Sequence, residues 1–223
     1  MPLSECVYYL RFRTPVSVFT GLGIAGLLDR TVVRAAKWRP SPSQAGEKGL
    51  PYIPGSTVKG RLRFFADRIL RSAPPSGGCW LHPDKGVICK NLDRACTSCR
   101  LFGNPAIPAL LQVSDALLDP TWQALIRTSL AGNHNPVVCP DVEIRPGIAL
   151  SRKRRTALGD HLFFDEVVPP LTFSGKLLLD ARVSRKERDF LIQAATLVDG
   201  LGARKCAGRG RLEGGIHIGE AGR

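Results

Sequence analysis

The stretch Leu50-Pro51-Tyr52-Ile53-Pro54-Gly55-Ser56-Thr57-Val58-Lys59-Gly60-Arg61-Leu62-Arg63 constrains this chain more than any other. Pro51, Pro54 and Gly55 exclude a helix up to that point, and Ser56 is well placed to cap the amides that follow. Val58, Leu62, Phe65 and Ile69 then recur at helical spacing, so a helix over about Thr57 to Arg71 has one apolar face. Lys59, Arg61, Arg63, Arg68 and Arg71 make the remainder basic. A helix N-terminus behind a glycine turn attracts anions through its unpaired N–H groups and dipole. Lys and Arg on the same element extend that attraction along a phosphate backbone. The same pattern also describes an ordinary amphipathic helix with a solvated basic face, and periodicity alone does not separate the two.

The 223 residues carry 32 Lys and Arg against 19 Asp and Glu, a formal net charge of +13. Such an imbalance points to a polyanionic partner. The 43% hydrophobic content is enough for one large domain with a real core. The N-terminal residues do not read as a secretory leader, and no apolar run reaches the length of a membrane span. Of the seven cysteines, four lie within residues 79–99, an odd total that favours thiols and a metal over a disulfide framework. A cytoplasmic location, away from any membrane, is therefore expected.

The order of elements is legible once the polar stretches are set aside. Cys6, Tyr8, Leu10 and Phe12 alternate as a strand, and a Gly-, Pro- and Ser-rich loop fills 14–50 before the basic helix. A cysteine-rich insertion occupies 73–108. Residues 110–115 form a short strand, and Asp119-Pro120 starts a helical segment with Trp122, Leu125 and Ile126. Residues 132–170 are polar and basic without a sustained apolar period. Residues 171–179 alternate cleanly as a strand. Ser184 and Glu187 form a capping box that opens a helix with Phe190, Ala194, Leu197 and Val198 on one side. Leu212, Gly214, Ile216 and Ile218 end the sequence as a strand. The core order is strand, helix, strand, strand, helix, strand, which predicts an α+β, ferredoxin-like βαββαβ domain over 1–223 with three insertions. That fold alone does not fix a function.

The cysteine cluster reads Cys79-x2-His82-x6-Cys89-x6-Cys96-x2-Cys99, five soft ligands within 21 residues. Tetrahedral Zn2+ needs four, and Cys96 with Cys99 forms the tight pair that one ion bridges. Cys89, Cys96 and Cys99 are three of the ligands, and either His82 or Cys79 is the fourth. A closed site of this kind leaves no position for water, so the zinc is expected to be structural, stapling an insertion too short to build its own core.

Two further basic elements follow. Arg152-Lys153-Arg154-Arg155 lies in the middle of the 132–170 insertion, where four adjacent cations repel one another unless something negative neutralises them. Gly200-Leu201-Gly202-Ala203-Arg204-Lys205-Cys206-Ala207-Gly208-Arg209-Gly210-Arg211 combines four glycines with Arg204, Lys205, Arg209 and Arg211. Glycines let a backbone approach a ligand closely, and the cations supply charge there.

Three separated motifs resemble the RAMP superfamily, the RNA-binding subunits of CRISPR effector complexes. They are the Pro54-Gly55-Ser56-Thr57-Val58-Lys59-Gly60 helix start, Leu101-Phe102-Gly103 and the glycine-rich loop, in family order across nearly the whole chain. The passage Ile148 to Val168 also resembles the family's hairpin region, which implies a thumb within about 134–168 that folds across a guide RNA. The resemblance implies a backbone subunit of a type III complex. Such a subunit binds guide crRNA by its phosphates and packs against other effector subunits or further copies of itself. It also helps cut complementary target RNA. Lys59, Arg61 and Arg63, Arg152, Lys153, Arg154 and Arg155, and Arg204, Lys205 and Arg209 are the RNA-binding candidates.

Cutting subunits of this type carry an essential Asp in a loop similar to Asp29-Arg30-Thr31-Val32-Val33-Arg34, which makes Asp29 the candidate catalytic residue. A carboxylate there would hold Mg2+ or another divalent ion, or position the 2′-OH, with Arg30 and Arg34 offsetting phosphate charge. The bland reading is a surface Asp paired with Arg30. Residues 37–49 depart from the family pattern. Three alternatives stand beside the cutting subunit: a non-cutting structural or cap subunit, a guide-processing endoribonuclease using a histidine among His134, His161 and His217, and a free-standing zinc RNA-binding protein of ribosomal type.

Overall fold

The computed structural model describes residues 3–21, 23, 28–35, 49–72, 89–132 and 141–220. Cys79 and His82, with the rest of 73–88, lie outside the described residues, as do His134, Cys139 and parts of the 14–50 loop.

Strand β1 (Leu3–Phe12) lies inside a six-stranded sheet, one strand in from its edge. It pairs antiparallel with β7 (Thr172–Asp180) on one side and β8 (Leu212–Glu220) on the other. Beyond β7 lie β3 (Leu111–Val113) and β4 (Ala116–Leu118), and β2 (Tyr52–Ile53) closes the far edge against β4. Two helices connect these strands, α1 (Gly55–Ser72) and α4 (Arg185–Thr196). Taking β3 and β4 as one interrupted strand, the sheet runs last, first, third, second, with a helix after the first and third. That is the expected ferredoxin-like order, in a mixed fold with an antiparallel sheet.

The alternation of β1 explains its place. Tyr8, Leu10 and Phe12 point to one side and are buried, while Tyr9 and Arg11 point to the other and are exposed. Facing them, Phe173, Leu177 and Leu179 do the same on β7, and Phe12 meets Phe173 edge to face at 5.8 Å. Tyr8 sends its hydroxyl to the carbonyl of Ser114 at 2.7 Å, and burial, with the Asp115 charge second, raises its pKa well above the usual phenol range. Helix α1 covers this layer with Val58, Leu62 and Ala66, while Phe65 and Ile69 pack at its margin. Helix α4 contributes Leu191, Ala194 and Ala195, and Val198 just after its end joins them. Leu197, expected on that face, is 51% exposed: it keeps helical dihedrals and falls to the side of the buried stripe of Leu191, Ala194, Ala195 and Val198. The capping box of Ser184 and Glu187 is present.

The start of α1 differs from expectation. The helix begins at Gly55, not after Ser56, and the Asp115 carboxylate accepts the Gly55 N–H at 2.7 Å. The Pro54 carbonyl accepts from Thr57 and Val58. A Cβ on residue 55 would lie 2.3 Å from the Val113 carbonyl, so only glycine lets the helix begin this close to the strand. Ser56 is exposed and makes no capping hydrogen bond among the described residues. Asp115 takes the first amide and the Pro54 carbonyl takes those of Thr57 and Val58, so the helix start is not the open anion cradle expected from the sequence.

The 132–170 stretch contains more regular structure than its composition announced. Strands β5 (Glu143–Ser151) and β6 (Thr156–Val167) form an antiparallel hairpin that is a sheet of its own. Ahead of it, α3 (Pro120–Gly132) starts where Asp119 accepts the Thr121 N–H, and α2 (Thr97–Phe102) lies in the cysteine-rich insertion. The described part of the 14–50 segment is not a loose loop. Val16 bridges Val168, Phe19 bridges Val32, Arg30 bridges Asp165, and Arg34 bridges Pro51. No described helix is long and apolar enough to cross a membrane.

Candidate nucleic-acid interface and metal centre

The cations of α1 turn inward more than a solvated basic face would. Lys59 donates to the Leu111 carbonyl at 3.1 Å, and burial, with Arg63 beside it, lowers its pKa. Arg61 donates to the Gly200 carbonyl at 3.0 Å and to Asp199 at 2.9 Å, while its guanidinium lies about 5 Å from the Phe64 and Phe65 rings. Arg63 donates to the Gly103 carbonyl at 3.1 Å and sits 3.7 Å from Asp67. Two residues on one helix therefore reach the other two sequence motifs: Arg61 holds the start of the glycine-rich loop, and Arg63 holds Leu101-Phe102-Gly103. A guanidinium has five N–H donors, so these contacts use only part of each group.

The glycine-rich loop is a folded turn. Arg204 adopts a left-handed φ of 58°, Lys205–Ala207 make one 3-10 turn, and Lys205 donates to the Gly202 carbonyl at 2.7 Å. Gly210 passes so close to the Leu201 carbonyl that a Cβ would fall within 1.9 Å of it, with a φ of 68° that side chains rarely adopt. Arg204 and Arg209 both donate to Oδ2 of Asp165 at 3.1 Å, and Arg204 lies 4.1 Å from the Phe163 ring centroid. Asp165 is fully buried, and its Oδ1 has no hydrogen-bond partner among the described residues.

Asp29 sits along the backbone edge of the same strand segment, at Phe164. Its backbone N–H donates to the Phe164 carbonyl at 3.0 Å, and the Phe164 N–H donates to its Oδ2 at 2.7 Å. Glu166 donates its N–H to the Arg30 carbonyl and accepts the Val32 N–H on Oε2, both at 3.0 Å. Asp29 is exposed. Its described partner is backbone, whereas Arg30 packs over the Phe19 ring at 5.5 Å. Arg34, expected to offset phosphate charge, is instead committed to Asp141, which is almost wholly buried, and to the Gly49 carbonyl at 3.1 Å. An ion pair removed from water at that depth keeps its cation home.

The Arg152-Lys153-Arg154-Arg155 run forms the tip of the β5–β6 hairpin, and all four are exposed. Ser151 organises the turn: its carbonyl accepts the Arg155 N–H at 2.7 Å and its hydroxyl the Arg154 N–H at 3.2 Å. Along one face below the tip, Pro146 and Ile148 stand opposite Phe164 and Leu162. Ile148, Leu162 and Phe164 are exposed there, with Ile144 and Leu150 continuing the strip.

Cys89, Cys96 and Cys99 bring their sulfurs within 4.8 Å of one another. Sulfurs around tetrahedral zinc lie about 3.8 Å apart, given Zn–S bonds near 2.3 Å, so this spacing suits the ion. The Cys96 sulfur accepts the Cys99 N–H at 3.5 Å and so starts α2. Asn104, which sequence reasoning missed, donates to the Cys99 sulfur at 3.2 Å and to the Cys89 carbonyl at 3.0 Å. That is how outer residues orient thiolate ligands. Arg100 fastens the cluster to α4 through Glu187 at 2.7 Å. Burial pushes the Glu187 pKa up, but hydrogen bonds from Arg100 and Ser184 outweigh it and hold the carboxyl below its usual range. Among the described residues this is the one group of three such ligands, and Asp29 is not in it.

A model of the RAMP superfamily matches residues 41–213. No curated protein matches the chain. Among solved structures, the chain is similar to one in a Type IV-B CRISPR complex, with a TM-score of 0.63 and 15% sequence identity. The match covers 98% of this chain and 92% of that one. Identity that low speaks for a shared fold and leaves activity open.

Proposed function

The chain belongs to the RAMP superfamily, and from that premise we propose that it is a guide-RNA-binding backbone subunit of a multi-subunit CRISPR effector complex, of the type III kind its motifs resemble. One observation carries the reading. Three motifs scattered over the sequence meet around α1, where Arg61 holds Gly200 and Arg63 holds Gly103. The glycine-rich loop, α1 and the hairpin tip then offer cations to successive phosphates, and guide–target pairing supplies the sequence specificity. The exposed apolar strip of the hairpin suits contact with a base or a neighbouring subunit, which is the thumb role. Partners are the guide crRNA, target RNA, other effector subunits and further copies of this chain.

Cys89, Cys96 and Cys99 would hold a structural zinc ion, completed by His82 or Cys79. When bound, the ion cross-links the insertion to the Leu101-Phe102-Gly103 turn. Asp29 would be the residue on which target cleavage depends, through the 2′-OH that it positions. A second reading, a guide-binding subunit that does not cut, is favoured by the Asp29 carboxylate already accepting the Phe164 N–H. The two separate in a reconstituted complex. Asp29→Ala should leave guide and target binding intact and abolish the cut at this subunit's position, whereas a wild type that never cuts establishes the non-cutting reading.

A further inference from the structure

Residues Phe163 to Glu166 of β6 touch two functional segments at once. On the strand edge, the backbone and the Glu166 carboxylate hold Asp29, Arg30 and Val32. On the inward face, Phe163 and Asp165 hold Arg204 and Arg209 of the glycine-rich loop. Asp165 is fully buried and accepts both arginines on one oxygen, and Arg209 also reaches the Ser17 hydroxyl at 3.4 Å. A buried carboxylate costs desolvation that its cationic partners must offset, so Asp165, Arg204 and Arg209 hold one another in a single arrangement. Long arginine side chains fixed before a ligand arrives lose less freedom when it binds.

We infer that Asp165 is a positioning residue, which sets the glycine-rich loop and the Asp29 segment in one register so that occupancy of the loop is felt at Asp29. The idea rests on the guide-binding reading for its consequence, but the coupling itself is a property of the chain without RNA. Asp165→Asn is the sharp variant, because it keeps the shape and one acceptor oxygen while removing the charge that holds two guanidinium groups.

Hydrogen exchange tests the coupling directly on the full chain. The amides of Asp29, Val32 and Phe164 are hydrogen-bonded between β6 and the Asp29 segment, while those of Leu201, Ala203 and Gly210 hold the glycine-rich loop to Gly210, Ser17 and Pro15. In Asp165→Asn both sets should exchange about tenfold faster or more, with β1 and β7 unchanged. Unchanged exchange on either side overturns the inference, and a uniform rise over the whole chain reduces Asp165 to a general structural role. Should this variant fail to fold, Arg204→Gln, which leaves the carboxylate one guanidinium, is read in the same way.

Binding of a single-stranded RNA of mixed sequence adds the second arm. Asp165→Asn should weaken it about tenfold, and that loss should vanish in an Arg204→Ala/Arg209→Ala background. A loss that persists there overturns the clamp. A wild type with no affinity for RNA sinks the guide-binding reading and leaves the exchange result to decide on Asp165.

Discussion

Helix α1 and the tip of the β5–β6 hairpin carry the same kinds of cation and use them in opposite ways. On α1, Lys59, Arg61 and Arg63 donate to the carbonyls of Leu111, Gly200 and Gly103, so their charge also builds the fold. At the tip, Arg152, Lys153, Arg154 and Arg155 are exposed on a hairpin that pairs with itself. A basic motif near the core therefore organises other motifs, while a basic run at a tip has nothing to organise and is available to a ligand. Variants in the first region should cost stability as well as affinity; variants in the second should cost affinity alone.

The largest effect that would sharpen this contrast lies beside α1, in the thiol cluster. Cys99→Ser should abolish zinc content and unfold residues 89–104, since structural zinc supplies on the order of 10 kcal/mol of apparent folding free energy. Metal analysis with circular dichroism checks it, and a folded wild type without zinc removes the metal from the account. Next comes the apolar side of α1. Leu62 is fully buried, and Leu62→Ala should cost about 2–5 kcal/mol in urea unfolding while leaving the salt dependence of RNA binding unchanged. Arg61→Ala should cost about 1–3 kcal/mol, because its hydrogen bonds join the helix to Gly200 and Asp199. It should also weaken RNA binding. An unchanged stability would break the comparison by making Arg61 behave like the tip.

Replacing all four tip cations with Ala should shift stability by no more than about 0.5 kcal/mol. The slope of log affinity against log salt should fall by about 0.7 for each cation that had met a phosphate. The smallest effect concerns Glu187. Its folded pKa lies below the ordinary carboxylate value, so its contribution is present above that ordinary value and is lost as pH falls through the depressed one. The stability gap between wild type and Glu187→Gln should close accordingly on acidification, as denaturation at a series of pH values would record.

Much of the fold was readable because it rests on local patterns. The alternation of β1 and β7, the Ser184–Glu187 box and the apolar stripe of α1 are all set by neighbours within a few residues. The hairpin was less legible because its apolar strip faces outward, so no core-facing period marks it. Asp115, Asp165 and Asn104 were missed for another reason. Asp115 lies 60 residues from the helix it caps, and Asp165 lies 39 and 44 residues from its two arginines. No spacing rule links such pairs. Asn104 follows directly on Leu101-Phe102-Gly103, and its only signal was that position. The motifs themselves were visible, but not that Arg61 and Arg63 tie them together.

The most direct test of guide binding through the phosphate backbone is titration of the full chain with two single-stranded RNAs of unrelated sequence over a range of salt. The expected result is equal affinity for both, falling linearly on a log–log scale with a common slope that the tip variant lowers equally for each. Binding that is absent, that ignores salt, or that prefers one sequence strongly would contradict it.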